Sequence, residues 1–242
     1  MPPDPQTPPD PQPPPAPEPS RPRPRLSLYN LAAGHSVERL AALSDGIFAV
    51  AMTLLVLDLH IPIARGVTSE SGLAAALLHL APRLGIYAMS FLTLGIFWVG
   101  QQTQLNHLTH SDRDITWLHL LFLFTVTLVP FTTSLMASFP GFRTALLAYW
   151  FNILLLGATL LATWRCAVAS GLVEAETRAR LAGAMERRIL IAQALYALGA
   201  ALCVIGTAWS LGFIVLVQLN YAFAPRLRLS RPNPPLRQPP PA

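Results

Sequence analysis

Arg39, Ser44 and Asp45 stand in the first long apolar stretch of this chain, where a plain membrane anchor would carry leucine. They occupy the first half of RLAALSDGIFAVAMTLLVLDLH, residues Arg39 to His60, and Asp58 adds a second carboxylate near its far end. The stretch can cross a bilayer, because about 20 residues rising about 1.5 Å each span a hydrocarbon core of about 30 Å. A charge at the centre of such a helix costs roughly 2.5–3.5 kcal/mol on insertion scales, and snorkelling to the interface relieves part of that. Arg39 and Asp45 are separated by about 240° around a helix, so they are not an i,i+4 pair. Each requires a partner on another helix or in a water-filled cavity. The chemistry on offer is the placement of charge and hydrogen bonds inside a membrane.

Bond-making chemistry lacks its usual residues. The chain has no Walker loop, no His-Glu-x-x-His, no Gly-x-Ser-x-Gly elbow and no cysteine–histidine cluster. His107 and His110 are spaced i,i+3 in a short polar loop without a third ligand, which reads as a solvated loop. Cys166 and Cys203 lie in or beside apolar runs and read as membrane packing. The expectation is a protein that is not an enzyme and has neither a metal site nor a cofactor. Asp45 and Asp58 are few carboxylates for a proton-relay transporter, which displays several intramembrane acids.

The elements that position these groups follow from composition. Of 242 residues, 52% are hydrophobic and 12% charged, against about 25% charged in soluble domains. That balance predicts an all-α, polytopic membrane protein surrounded by lipid. All seventeen basic residues are arginine, most of them outside the apolar runs, where they set topology and meet lipid headgroups; nucleic acid is not an expected partner.

Six spans are predicted: Arg39 to His60, then about 84–105, 115–137 and 144–164, and two more between Ile189 and Pro225. The last stretch has no charged residue and is too long for one span, so a tight turn near Gly206 and Thr207 divides it. Pro82 and Arg83 predict a break that separates a short interfacial helix from the second span. Pro130 predicts a kink in the third span that frees a backbone carbonyl. Within that span, His119 is read as a polar contact between helices. The six-helix membrane unit covers residues 35–224, between Pro-rich tails at 1–34 and 225–242 that are expected to be disordered cytoplasmic segments.

Arg39, Leu43, Ser44 and Asp45, with the apolar helix that follows, resemble the RxxxFSD signature of the transmembrane protein 175 family, potassium channels of endosomes and lysosomes and their prokaryotic relatives. Leu43 replaces the usual phenylalanine. Tyr87, Ser90, Phe91, Gly95 and Trp98 resemble the family's second helix, with Gln101 and Gln102 where the family commonly has histidines. His119 stands where the family tends to have asparagine. The resemblance implies a homotetramer in the cell membrane with potassium as the permeant ion. It also implies a pore lined by the first helix of each subunit, with a constriction at Val50, Leu54 and Leu57 and a hydroxyl layer at Thr53. By spacing alone, Leu43, Ile47, Val50, Leu54, Leu57 and Ile61 form one stripe, which packing explains as readily as a pore. The alternative is a proton-coupled or small-solute transporter with Arg39 and Asp45 as a switching pair. Such a transporter would favour inverted repeats, and none is visible in the sequence.

An even number of spans puts both termini on one side. That side holds thirteen arginines outside the first span, against Arg65, Arg83 and Arg143 opposite. Reporter fusions at residues 2 and 240 should therefore both report cytoplasm; an external signal at either end would overturn the count or the orientation.

Overall fold

The computed structural model describes residues 37–57, Leu59 and residues 69–223. Both Pro-rich tails, Asp58 and Ile61 lie outside the described residues. Seven α-helices and one 3-10 turn follow in order: α1 Val37–Leu57, α2 Glu70–Leu105, α3 Arg113–Thr127, α4 Val129–Ser138, α5 Arg143–Ala169, α6 Ala175–Ala201, the turn Leu202–Val204, and α7 Thr207–Phe223. Among the described residues there is no strand, only an isolated bridge between Leu108 and Val173. The all-α, polytopic class read from composition stands. Five segments are long and apolar enough to cross a membrane, α3 and α4 together forming one of them. The sixth apolar helix, α7, has 17 residues, at the short end of the spanning range of about 17–25.

Pro82 and Arg83 do not break α2, contrary to the expectation from sequence. The helix runs 36 residues from a Ser69 cap, whose hydroxyl accepts from Gly72 N at 3.2 Å. Proline deletes one rung of the helical ladder, and the rung lost here belongs to the carbonyl of Leu78, a residue 74% exposed. At so exposed a residue the freed carbonyl is open to water or headgroups, which lowers the penalty for continuing the helix. The expected division survives in the packing, since all buried residues of α2 lie at Ile86 and beyond.

The third span is interrupted at its proline. Helix α3 ends at Thr127 and α4 begins at Val129, with Pro130 in the first turn of α4. The side-chain amide of Asn152, from α5, spans the gap. With the amide turned so that both its ends are satisfied, its nitrogen donates to Thr125 O at 3.0 Å, and its oxygen accepts from Val129 N at 3.1 Å and from Thr132 Oγ1 at 3.3 Å. A helix interruption at membrane depth is tolerated where neighbouring side chains satisfy the freed backbone groups. Asn152 does that here.

The charged stretch from Glu174 to Arg188 is helical from Ala175 on and forms the first half of α6. It is reached by a left-handed turn at Gly171, φ +72°. Leu172 N donates to Ala167 O at 3.0 Å and Gly171 N to Val168 O at 3.3 Å, the paired bonds that close a helix end with glycine in this conformation. Thr109 N donates to Leu172 O at 2.9 Å, tying this turn to the α2–α3 loop. The main core joins Phe48, Ala51 and Leu55 of α1 to Met89 and Leu94 of α2, Phe122 and Val126 of α3, and Ile153 and Leu156 of α5.

Asn152→Leu, close in volume, should cost about 1–3 kcal/mol, the penalty for orphaning buried backbone groups. Thr127→Val, which removes only an exposed bond to its own Phe124 O, should be near neutral. Thermal unfolding of the purified protein compares the two; equal midpoints would show that the gap needs no amide.

Candidate functional site

Helix α1 buries one face and leaves the other bare. Leu40, Ser44, Phe48, Ala51 and Leu55 are buried, at three- and four-residue spacing, against α2, α3 and α4. Between them run Leu43, 43% exposed, Val50, 57%, Leu54, 45%, and Leu57, 68%. Thr53 is exposed on the same side and donates its hydroxyl to Val50 O at 2.8 Å. All the residues expected to line a pore therefore stand on the uncovered part of α1, and none reaches the subunit interior. A hollow of about 380 Å³ lies along this face between Leu43, Gly46, Val50, Leu54 and Thr127 of α3.

The rotation of α1 that produces this division is held by hydrogen bonds from the signature. Ser44 is fully buried. Its hydroxyl donates to Leu40 O at 2.8 Å, accepts from Gln101 Nε2 at 3.1 Å and lies 2.7 Å from His119 Nε2. With the hydroxyl hydrogen on Leu40 O, Nε2 must carry the imidazole proton and donate to Ser44. One hydroxyl thereby joins α1 to both α2 and α3. His119 makes the interhelical polar contact expected of it. Asp45, one residue on, turns toward the other side of α2. Its Oδ1 accepts from Trp98 Nε1 at 2.8 Å and from Gln102 Nε2 at 2.7 Å, donors one helical turn apart.

Asp45 therefore has the partner on another helix that its position demanded. Arg39 lies in the first turns of α1 with its side chain exposed. Sequence reasoning missed Trp98, Gln101 and Gln102 as partners of the signature. The signal was present as two consecutive amides on an apolar helix, but which faced α1 depends on the rotation of α2. His107 and His110 bond locally, to Thr103 O at 2.6 Å and Thr109 Oγ1 at 3.0 Å.

A second polar layer lies deeper in the bundle. Thr133 donates to Ser90 Oγ at 2.8 Å, the Tyr149 hydroxyl lies 2.8 Å from Thr93 Oγ1, and Gln218 Nε2 donates to Thr93 Oγ1 at 2.6 Å. These bonds link α4, α2, α5 and α7.

Residues 39–130 match the family model described as endosomal/lysosomal potassium channel TMEM175. A potassium channel of Streptomyces collinus is 40% identical over 101 residues, 42% of this chain and 48% of that one, so the matched stretch spans about half of that relative. Human endosomal/lysosomal proton channel TMEM175 is 34% identical over 91 residues, 36% of this chain and 18% of that one. Among solved structures, that of a lysosomal potassium-selective channel TMEM175 homolog from Chamaesiphon minutus superposes with a TM-score of 0.68. It is 27% identical and covers 78% of this chain and 97% of its own.

Trp98→Phe and Gln102→Leu should each destabilise the protein by roughly 1–2 kcal/mol, the lower range for hydrogen bonds to a charged group because Asp45 is exposed. Either change combined with Asp45→Ala should cost less than the sum. A double-mutant cycle on thermal unfolding reads the coupling; strict additivity would show that Asp45 is not held by α2.

Proposed function

From its similarity to TMEM175 channels, we propose that the chain is a member of that family and forms a potassium-permeable cation channel, a homotetramer in which the α1 helices surround a shared axis. One observation carries this reading. The signature fixes α1 by its inner face, while the outer face, with its apolar stripe and Thr53, is left without cover by the subunit itself, and the Asp45 carboxylate, though bonded to α2, stays exposed. The α1 span is 28% buried, against 50% for α5 and 22% for the span Arg178–Val204 through α6, so α1 is one of two poorly covered spans and the one that carries the signature. A carboxylate turned to hydrocarbon is costly, and the cost falls where neighbouring subunits enclose water.

Around such an axis Val50, Leu54 and Leu57 each contribute one side chain per subunit to a ring, and Thr53 adds hydroxyls between them. An apolar ring supplies no carbonyls to replace hydration water, so it gates by dewetting and discriminates by the cost of stripping the ion's shell. Potassium holds its water less strongly than sodium, and a tight apolar ring therefore favours potassium. Val50 is small, which widens the ring at its level. No bond-making step is part of this reading, and both termini face the cytoplasm by the arginine bias.

Liposomes holding purified protein under a potassium gradient test the reading, with sodium and proton fluxes measured beside potassium. Wild type should pass potassium in preference to sodium. Leu54→Asn should keep its oligomer yield and leak sodium, because an amide in every copy wets the ring. A transporter whose first helix only packs would bury an unsatisfied amide, losing about 1–3 kcal/mol of stability with no leak. Reduced yield with unchanged selectivity would sink the pore assignment, and a proton flux without potassium flux would reassign the ion.

A further inference from the structure

A groove of about 130 Å³ runs between α2, α5, α6 and α7, on a different side of α2 from the signature contacts. Its walls are hydrocarbon, chiefly Phe97, Val99, Leu160 and Ile189, and its lining includes Arg188 and Tyr221. We propose that it holds an acyl chain of an anionic phospholipid, the phosphate resting on Arg188.

Charge points to the headgroup. The Arg188 guanidinium stacks 5.8 Å above the centre of the Tyr221 ring. The ion pairs among the described residues of α5 and α6 are Arg165–Glu186 and Arg180–Glu176, so the acidic side chain nearest in sequence to Arg188 is already engaged by another arginine. A guanidinium stacked by its face keeps its edge donors for a bidentate acceptor such as phosphate. This end of the bundle is the arginine-rich side, assigned by the positive-inside rule to the cytoplasmic leaflet, where anionic lipids attract basic side chains.

The apolar walls below suit a chain and exclude a free phosphate ion as the occupant.

The test reads lipid retention and not ion flux, so it stands or falls apart from the channel reading. Full-length protein is recovered from vesicles of equal phosphatidylglycerol and phosphatidylcholine, and bound lipid is counted by native mass spectrometry. Wild type should retain phosphatidylglycerol in preference. Arg188→Gln should reduce that preference about fivefold, the effect of one basic side chain at a membrane surface. Arg187→Gln, the same charge change beside it but outside the groove, should leave the preference intact. Val99→Trp, which fills the groove, should release the lipid at unchanged oligomer yield. Equal losses in Arg187→Gln and Arg188→Gln would reduce the effect to general surface charge and overturn the site. So would wild-type protein retaining no lipid, or lipid persisting in Val99→Trp.

Discussion

Apolar burial does not press helices together in a bilayer, where lipid tails are as apolar as leucine. Close packing and interhelical hydrogen bonds must orient them instead. Ser44 is where that constraint acts in this chain. A single buried hydroxyl takes hydrogens from Gln101 of α2 and His119 of α3 and returns its own to the α1 backbone. Few other arrangements of three helices would satisfy all these groups at once, so the bonds set the rotation of α1. Once rotation is set, helical spacing decides the rest. Phe48, Ala51 and Leu55 follow Ser44 inward, and Val50, Leu54 and Leu57 fall outside.

The same need to satisfy polar groups recurs at the middle of the bundle. The layer of Thr133, Ser90, Tyr149, Thr93 and Gln218 draws one side chain from α4, two from α2 and one each from α5 and α7. At the interruption between α3 and α4, Asn152 meets a donor and an acceptor released by the break. The two devices share α5, which is also the most enclosed of the candidate spans. The subunit thus has a hydrogen-bonded centre around α5 and an incompletely covered flank at α1. A lone transporter subunit would be expected to enclose its polar first helix; this one presents it.

Much of this was legible in the sequence, because apolar length, prolines and arginine placement act locally. The helices of the spans, the discontinuity at Pro130, the turn before Thr207 and the interhelical contact of His119 all follow from such signals. Pro82 misled, because its penalty depends on whether the orphaned carbonyl meets solvent, and exposure is a tertiary property. Trp98, Gln101 and Gln102 were visible as polar or amphipathic residues in an apolar helix, yet their assignment to Asp45 or Ser44 turns on the relative rotation of two helices. Periodicity reports a helix's own faces and does not say which neighbour each face meets. For α1, whose faces are nearly all apolar, it does not even separate the packed stripe from the bare one.

Leu43 shows what that separation means for the signature. Its replacement of an aromatic side chain would be a cavity-forming change if the position faced the subunit core, costing several kcal/mol. Leu43 is instead 43% exposed, one residue from buried Ser44 but on the flank that continues into Val50 and Leu54. The loss of an aromatic ring there leaves the subunit's own packing intact and changes only the surface offered to whatever covers α1. Ser44 and Asp45 work inward and are constrained by the partners they bond, whereas Leu43 and Val50 work outward and are constrained by the neighbour they meet. The one departure from the RxxxFSD signature, Leu43, is on the outward set. In the proposed assembly the chain keeps the device that orients its first helix and changes a residue that meets the other copies.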